Sequence, residues 1–137
     1  MEKRIGLSGF TFVRDAVRLE YPIVESIRSA LPIVDEYVVN VGDCTDDTLE
    51  VIEAIGDPRI TILRTDWNPE RFVAGATNAD QTDIALDRCT EPWCLYLQAD
   101  EVIHEFFASE PAKAAVRAKV EAVFPDHEVE PFTELFW

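Results

Sequence analysis

Trp93-Cys94-Leu95-Tyr96-Leu97-Gln98-Ala99-Asp100-Glu101 is a short apolar run that ends abruptly in an amide and two carboxylates, with Pro92 just before it. An apolar run this short, bounded by a turn residue and by acids, reads as a buried central strand of a parallel sheet. Ligands of open α/β sheets gather in the crevice beyond the carboxyl ends of the strands, which is where Asp100 would emerge. A carboxylate there can hold a hard divalent cation, and the cation can hold phosphates. Asp100 and Glu101 equally suit the first turn of a helix, where the macrodipole favours acids.

Working outward, the segments upstream alternate between strand and helix patterns. Ile5 to Phe10 mixes apolar residues with Gly6, Ser8 and Gly9, as in a strand that another backbone or a ligand approaches closely. A polar interruption, Thr11 to Asp15, follows. Val24, Ile27 and Leu31 then recur at helical spacing between Pro22 and Pro32. Tyr37-Val38-Val39-Asn40-Val41 is a β-branched second strand, and it breaks at Gly42-Asp43-Cys44-Thr45-Asp46-Asp47-Thr48. Leu49, Ile52 and Ile55 space as a helix, with Thr45 or Asp46 as its N-cap, and Gly56-Asp57-Pro58 stops it. Ile60 to Leu63 reads as a third strand, and Asn78 to Arg88 as a helix that delivers the chain to Trp93. Tandem strand-helix-strand units imply a parallel sheet with helices on its faces. The aperiodic stretch from Arg64 to Gly75, containing Trp67, has the length at which loops in compact domains are often functional.

The 137 residues suit one domain of ordinary size. A 47% hydrophobic fraction with 10% aromatics is that of a globular chain rather than a disordered one. The formal net charge of -15 repels nucleic acid and anionic membrane surfaces, which argues against a general polyanion binder. A nucleotide ligand remains compatible with that charge, because a metal ion and backbone amides can supply positive potential locally. Cys44, Cys89 and Cys94 have no metal-site spacing and read as free thiols of a reducing compartment. Met1-Glu2-Lys3-Arg4 leads straight into the first strand, and no apolar run approaches the roughly 18 residues of a membrane span, so a cytoplasmic protein is expected.

Ser109-Glu110-Pro111 reads as a helix start, and Ala112 to Phe124 carries Val116, Val120, Val123 and Phe124 at helical spacing. The tail ends in Leu135-Phe136-Trp137, an apolar terminus expected to dock on the domain or on a partner subunit. The sequence thus divides into an α/β domain over residues 1–108 and a helix with an aromatic tail over 109–137, the latter a candidate homodimer contact.

Polar clusters follow three of the strands, at Thr11 to Asp15, Gly42 to Asp47 and Gln98 to Glu101, and in a parallel sheet they converge on one edge. Such acids are also ordinary loop polarity. His104, three residues beyond Glu101, is either a further metal-site candidate or a structural histidine. No dinucleotide glycine fingerprint, no Gly-Lys-Ser or Gly-Lys-Thr and no Gly-x-Ser-x-Gly elbow occurs, which excludes the Rossmann, P-loop and α/β-hydrolase motifs.

Phe10-Thr11-Phe12-Val13-Arg14-Asp15, then Val38 to Thr48, then Gln98-Ala99-Asp100-Glu101 resembles, in that order, the nucleotide-sugar half of a family 2 glycosyltransferase. The resemblance runs from about Ile5 to Glu105. It implies a GT-A fold, a three-layer α/β/α sandwich with a mainly parallel sheet, shortened here at the C-terminus. It also implies a nucleotide site drawn from Phe10, Thr11, Arg14, Asp43 and Gln98, with Asp100 as the ligand of Mn2+ or Mg2+ on the diphosphate. Gln98 departs from the family by replacing the first acid of its Asp-x-Asp motif with a neutral amide. Asn40-Val41-Gly42 stands where paired aspartates are frequent. Transfer of the sugar needs a base near the acceptor hydroxyl, and Glu101 and Glu105 are candidates by proximity alone. The expected function is metal-dependent transfer of a sugar from a nucleotide diphosphate to an acceptor. The alternative is a non-catalytic nucleotide-binding or assembly module that keeps the fold and lacks the acceptor half.

Overall fold

Small residues let the first strand run deeper into the molecule than its composition suggests. The computed structural model describes residues 6–67 and 75–104, together with positions 111 and 118. Within it β1 spans Leu7–Val13 and is buried almost throughout, so Thr11, Phe12 and Val13 continue the strand instead of interrupting it. Gly9 makes this possible. A Cβ at that position would stand 2.6 Å from the Tyr37 ring, which lies across the strand from its register partner.

The remaining elements are α1 (Ile23–Ala30), a 3-10 turn (Leu31–Ile33), β2 (Glu36–Val41), α2 (Thr48–Glu53), β3 (Ile60–Arg64), α3 (Ala76–Arg88) and β4 (Trp93–Tyr96). The described strands form one sheet in the order β3-β2-β1-β4, and every pairing is parallel. The strand at Trp93 is therefore an edge strand among those described, a correction to the central position expected of it. Its intermediate burial agrees, with Leu95 alone fully enclosed. An apolar run of this length cannot distinguish edge from centre, because both are covered on their faces by helices.

Alternation along the strands sorts the core into two layers. Leu7, Val13, Tyr37, Val39, Val41 and Leu95 pack with Ile23 and Ile27 of α1 and Ile52 of α2. Phe10 and Val38 face Ala85 of α3 on the other side, with Leu63, Cys94 and Tyr96 around them. Fully buried residues such as Ile27, Val39 and Ile52 each contribute about 1.5–3 kcal/mol. Asn40 is a buried exception on the α3 face. Its side-chain amide donates to the Gln81 carbonyl at 3.0 Å and to Gln81 Oε1 at 2.8 Å, while its own oxygen accepts from Thr65 Oγ1 at 2.8 Å. These bonds join β2, α3 and the segment after β3.

At the amino edge of the sheet Glu36 gathers three donors on one carboxylate oxygen: Ser8 Oγ at 2.5 Å, the Thr90 amide at 2.5 Å and Thr90 Oγ1 at 2.6 Å. This ties β1 and β2 to the turn between α3 and β4. The α2 cap differs from expectation: Asp47 occupies the N-cap position without a side-chain bond, and Asp46, one residue earlier, accepts the Thr48 amide at 3.0 Å. No helix among the described residues is long and apolar enough to cross a membrane. The C-terminal tail expected to dock, and the boundary expected near residue 108, lie outside the described residues.

Candidate functional site

The chain steps outward from β1 to β2 to β3 and then crosses back to place β4 on the other side of β1. Such a reversal opens a crevice at the carboxyl ends of the two strands that flank it. A cavity of about 580 Å3 lies there. Its lining comes from the end of β1 and the loop after it (Phe12, Arg14, Asp15, Arg18) and from the end of β4 and the loop after it (Tyr96, Gln98, Asp100). Trp67 and, from α3, Asn78 and Thr82 complete the wall. The volume falls within the range of small-molecule sites.

One wall is aromatic. Phe12 stacks on Tyr96 with ring centroids 6.2 Å apart and meets Trp67 at 5.9 Å. Gly42 lets the indole settle, since a Cβ there would stand 2.5 Å from Trp67 Nε1. The Arg14 guanidinium lies 5.6 Å from the Trp67 ring centroid, within cation–π range. Asp43 fixes both partners, accepting the Trp67 amide at 3.1 Å and pairing with Arg14 Nε at 3.3 Å. Asp43, expected at the nucleotide, sits in the turn after β2 outside the residues that line the cavity and holds Trp67 and Arg14 in place.

The loops after β1 and β2 are bound to each other by carboxylates. Asp15 adopts a left-handed backbone (φ 54°), a conformation that aspartate tolerates better than most residues. It accepts the Thr45 amide at 2.6 Å and Thr45 Oγ1 at 3.1 Å on one oxygen, and Arg18 Nη2 at 3.1 Å on the other. The Thr45 amide bond is the largest influence holding its carboxyl below the ordinary value, against burial that would raise it. Asp46 accepts the Arg18 amide at 2.7 Å and the Thr48 hydroxyl at 2.5 Å. Burial alone would raise Asp46, and these hydrogen bonds outweigh it.

Asp15, Cys44 and Asp46 bring their ligand atoms within 4.8 Å of one another, a spacing that admits a metal ion. All four carboxylate oxygens of the group already accept hydrogen bonds, and burial pushes the Cys44 thiol up, away from the thiolate that a metal needs. These bonds make the group a clamp between the two loops, and a cation there would share the carboxylate oxygens with the donors already in place. Asp100 has a different setting. It is exposed on the cavity wall and two residues beyond Gln98, which also faces the cavity. A single carboxylate suits Mg2+ or Mn2+ when the remaining ligands are phosphates and water.

Arg14, Gln98 and Asp100 therefore share one cavity. Phe10 and Thr11 are buried in the sheet instead: Phe10 stacks on Tyr96 at 5.3 Å, and Thr11 Oγ1 donates to the Phe12 carbonyl at 3.4 Å. Glu101 Oε1 accepts the Gln98 amide at 2.8 Å, closing the turn that carries Asp100. His104 follows on the same segment and is exposed, while Glu105 lies outside the described residues. Phe12, Arg18, Tyr96 and Thr82 were not among the residues the sequence singled out for the site. Trp67 had one signal, its place in an aperiodic stretch of functional length.

No protein-family model and no curated protein matches the sequence. Among solved structures, S. aureus TarS 1–349 matches 89% of this chain with a TM-score of 0.55 at 20% identity, and the match takes in 32% of that chain. A second structure of S. aureus TarS matches with the same score and identity over 20% of its chain. TarS 1–349 in complex with UDP matches with a TM-score of 0.56 at 19% identity, again over 32% of that chain. This chain thus spans about a third of the length of TarS 1–349. At such identity the likeness is one of architecture. The four-stranded parallel sheet in 3-2-1-4 order with flanking helices has the GT-A glycosyltransferase-like fold of the N-terminal part of TarS.

Proposed function

We propose that the cavity binds a nucleoside diphosphate sugar together with Mn2+ or Mg2+, and that the protein transfers the sugar to an acceptor. The observation that carries this reading is the convergence of Asp100, Gln98 and Arg14 on one cavity at the switch point of the sheet. The likeness to TarS, one structure of which is a complex with UDP, supports a nucleotide as the ligand class.

In this reading the base stacks against the aromatic wall of Phe12 and Trp67, and the Gln98 amide offers both a donor and an acceptor to ribose hydroxyls. Asp100 holds the metal. A metal held there would supply positive charge to the diphosphate leaving group. The Arg14 guanidinium adds positive potential to the same cavity. The three free thiols accord with a cytoplasmic setting.

A specific observation favours a second reading, a nucleotide-binding module without turnover. Glu101, a candidate base, has one oxygen committed to the Gln98 amide. Calorimetric titration of UDP with and without Mn2+, on the wild type and on Asp100→Asn, tests the common element of both. Metal-dependent binding that disappears in D100N supports the site. No binding of uridine, guanosine or thymidine diphosphate sinks it. Release of UDP from a UDP-sugar then separates transferase from module.

A further inference from the structure

The helical pattern of α1 places serine at two positions that face inward. Ser26 is fully buried between Ile23 and Ile27 in the apolar layer, and Ser29 is half-buried one turn later. Burying a hydroxyl among aliphatic side chains is costly unless it is hydrogen-bonded. Both serines are, and both reach the segment that follows β4. Ser26 Oγ donates to the Gln98 carbonyl at 3.2 Å. Ser29 Oγ donates to the Ser26 carbonyl at 2.6 Å, which turns a lone pair toward the Ile103 amide, accepted at 3.0 Å.

The two bonds bracket Asp100. Gln98 lies two residues before it and Ile103 three residues after it, and between them the Gln98–Glu101 turn closes on itself through a backbone bond of 3.0 Å and the Glu101 carboxylate bond of 2.8 Å. On its amino side the segment is attached to β1 by the Leu97 amide on the Phe10 carbonyl at 3.2 Å. Asp100 itself is exposed. Its position over the cavity depends on the mounting of its turn, and α1 supplies that mounting through hydroxyls more than 70 residues away in sequence.

We propose that Ser26 and Ser29 are positioning residues that hold the 98–103 turn so that Asp100 faces the cavity, a role that deepens and rests on the metal-nucleotide reading above. Serine in mid-helix forgoes the helix propensity and burial that alanine or leucine would bring. In exchange it fixes a segment that the sheet hydrogen bonds do not reach beyond Leu97.

The test compares wild type, Ser26→Ala, Ser29→Ala, the double variant and Ser29→Thr, which keeps a hydroxyl at the same place. Amide hydrogen exchange is followed across 97–104, and UDP binding is measured with and without Mn2+. Loss of one hydrogen bond of ordinary strength corresponds to about a tenfold effect. Exchange at Ile103 and its neighbours should rise about tenfold in S29A and further in the double variant, with α3 unchanged and S29T restored. The Mn2+-dependent part of UDP affinity should fall about tenfold while the metal-independent part holds. Exchange at 97–104 equal to wild type in the folded double variant overturns the proposal, as does equal loss of binding with and without metal. Should the wild type bind no UDP under any condition, the nucleotide reading fails, and the exchange measurement still decides whether the serines hold the turn.

Discussion

The Asp15 carboxylate accepts the Thr45 amide at 2.6 Å across the gap between the β1 and β2 loops, with Asp15 only 2% exposed. That bond joins the strand that lines the cavity to the turn that carries Asp43. Removing it in Asp15→Ala leaves the Thr45 amide and the Arg18 guanidinium without their acceptor and replaces aspartate by a residue less at ease in a left-handed backbone. The expected loss is about 3 kcal/mol, read from the urea midpoint. An effect under about 0.5 kcal/mol would show that the clamp contributes nothing to the fold.

Acid should loosen the same clamp. Asp15 is held below its ordinary value first by the Thr45 amide, and for Asp46 and Glu36 burial raises the carboxyl but hydrogen bonds outweigh it. Native values below unfolded ones mean that the stability is present above about pH 4.5 and is lost as pH falls through the native values. Relief of charge repulsion acts in the opposite direction in so acidic a protein. The difference in stability between wild type and Asp15→Asn removes that common effect. It should be constant from pH 7 to about pH 5 and shrink below about pH 4. A difference that grows toward acid would contradict the assignment.

Gly42 and Trp67 make the aromatic wall a sensitive point. In Gly42→Ala the new methyl would lie 2.5 Å from the indole nitrogen, so the ring must shift from its contacts with Phe12 and Arg14. Overpacking of this kind costs about 1–3 kcal/mol. UDP affinity should fall with it, and Trp67→Phe, which leaves room for the methyl, should absorb most of the stability cost of G42A in the double variant. Fully additive stability effects would argue that the two residues do not press on each other.

Asn40→Asp should be severe despite its small change in shape. The amide that donates to Gln81 twice would become a carboxylate facing the same two acceptors, at a position with no exposure. An unpaired buried charge costs several kcal/mol, or else the carboxyl stays protonated with a strongly raised pKa. Thermal unfolding of N40D should shift down sharply at pH 7 and partly recover toward pH 5. Unchanged stability at pH 7 would place Asn40 outside the network that joins β2 to α3.

Much of this architecture is visible in the chain itself. The β-branched run at Val38 to Val41, the helical spacing of Val24, Ile27 and Leu31, and the stop at Gly56-Asp57-Pro58 are local signals, and each produces its element within a few residues. The alternation of strand and helix then leaves a parallel sheet as the economical solution. Asp100 could be placed at a strand end for the same reason.

Other features depend on pairs distant in sequence. Gly9 looks like a weak strand residue until Tyr37 is laid over it, and Phe10 and Thr11 look available until α3 and the sheet close around them. Asp15, Thr45 and Arg18 carry no local pattern that announces a clamp. The sequence by itself determined the elements, their parallel arrangement and the acid that faces the crevice, because periodicity and turn chemistry act over neighbouring residues. Tertiary structure alone decided that β4 lies at the edge of the described sheet, that Trp67 joins Phe12 in the cavity wall and that α1 serines hold the Asp100 turn. Those outcomes rest on pairs such as Leu7 with Trp93, Phe12 with Trp67 and Ser26 with Gln98, each far apart in sequence, which no local pattern encodes.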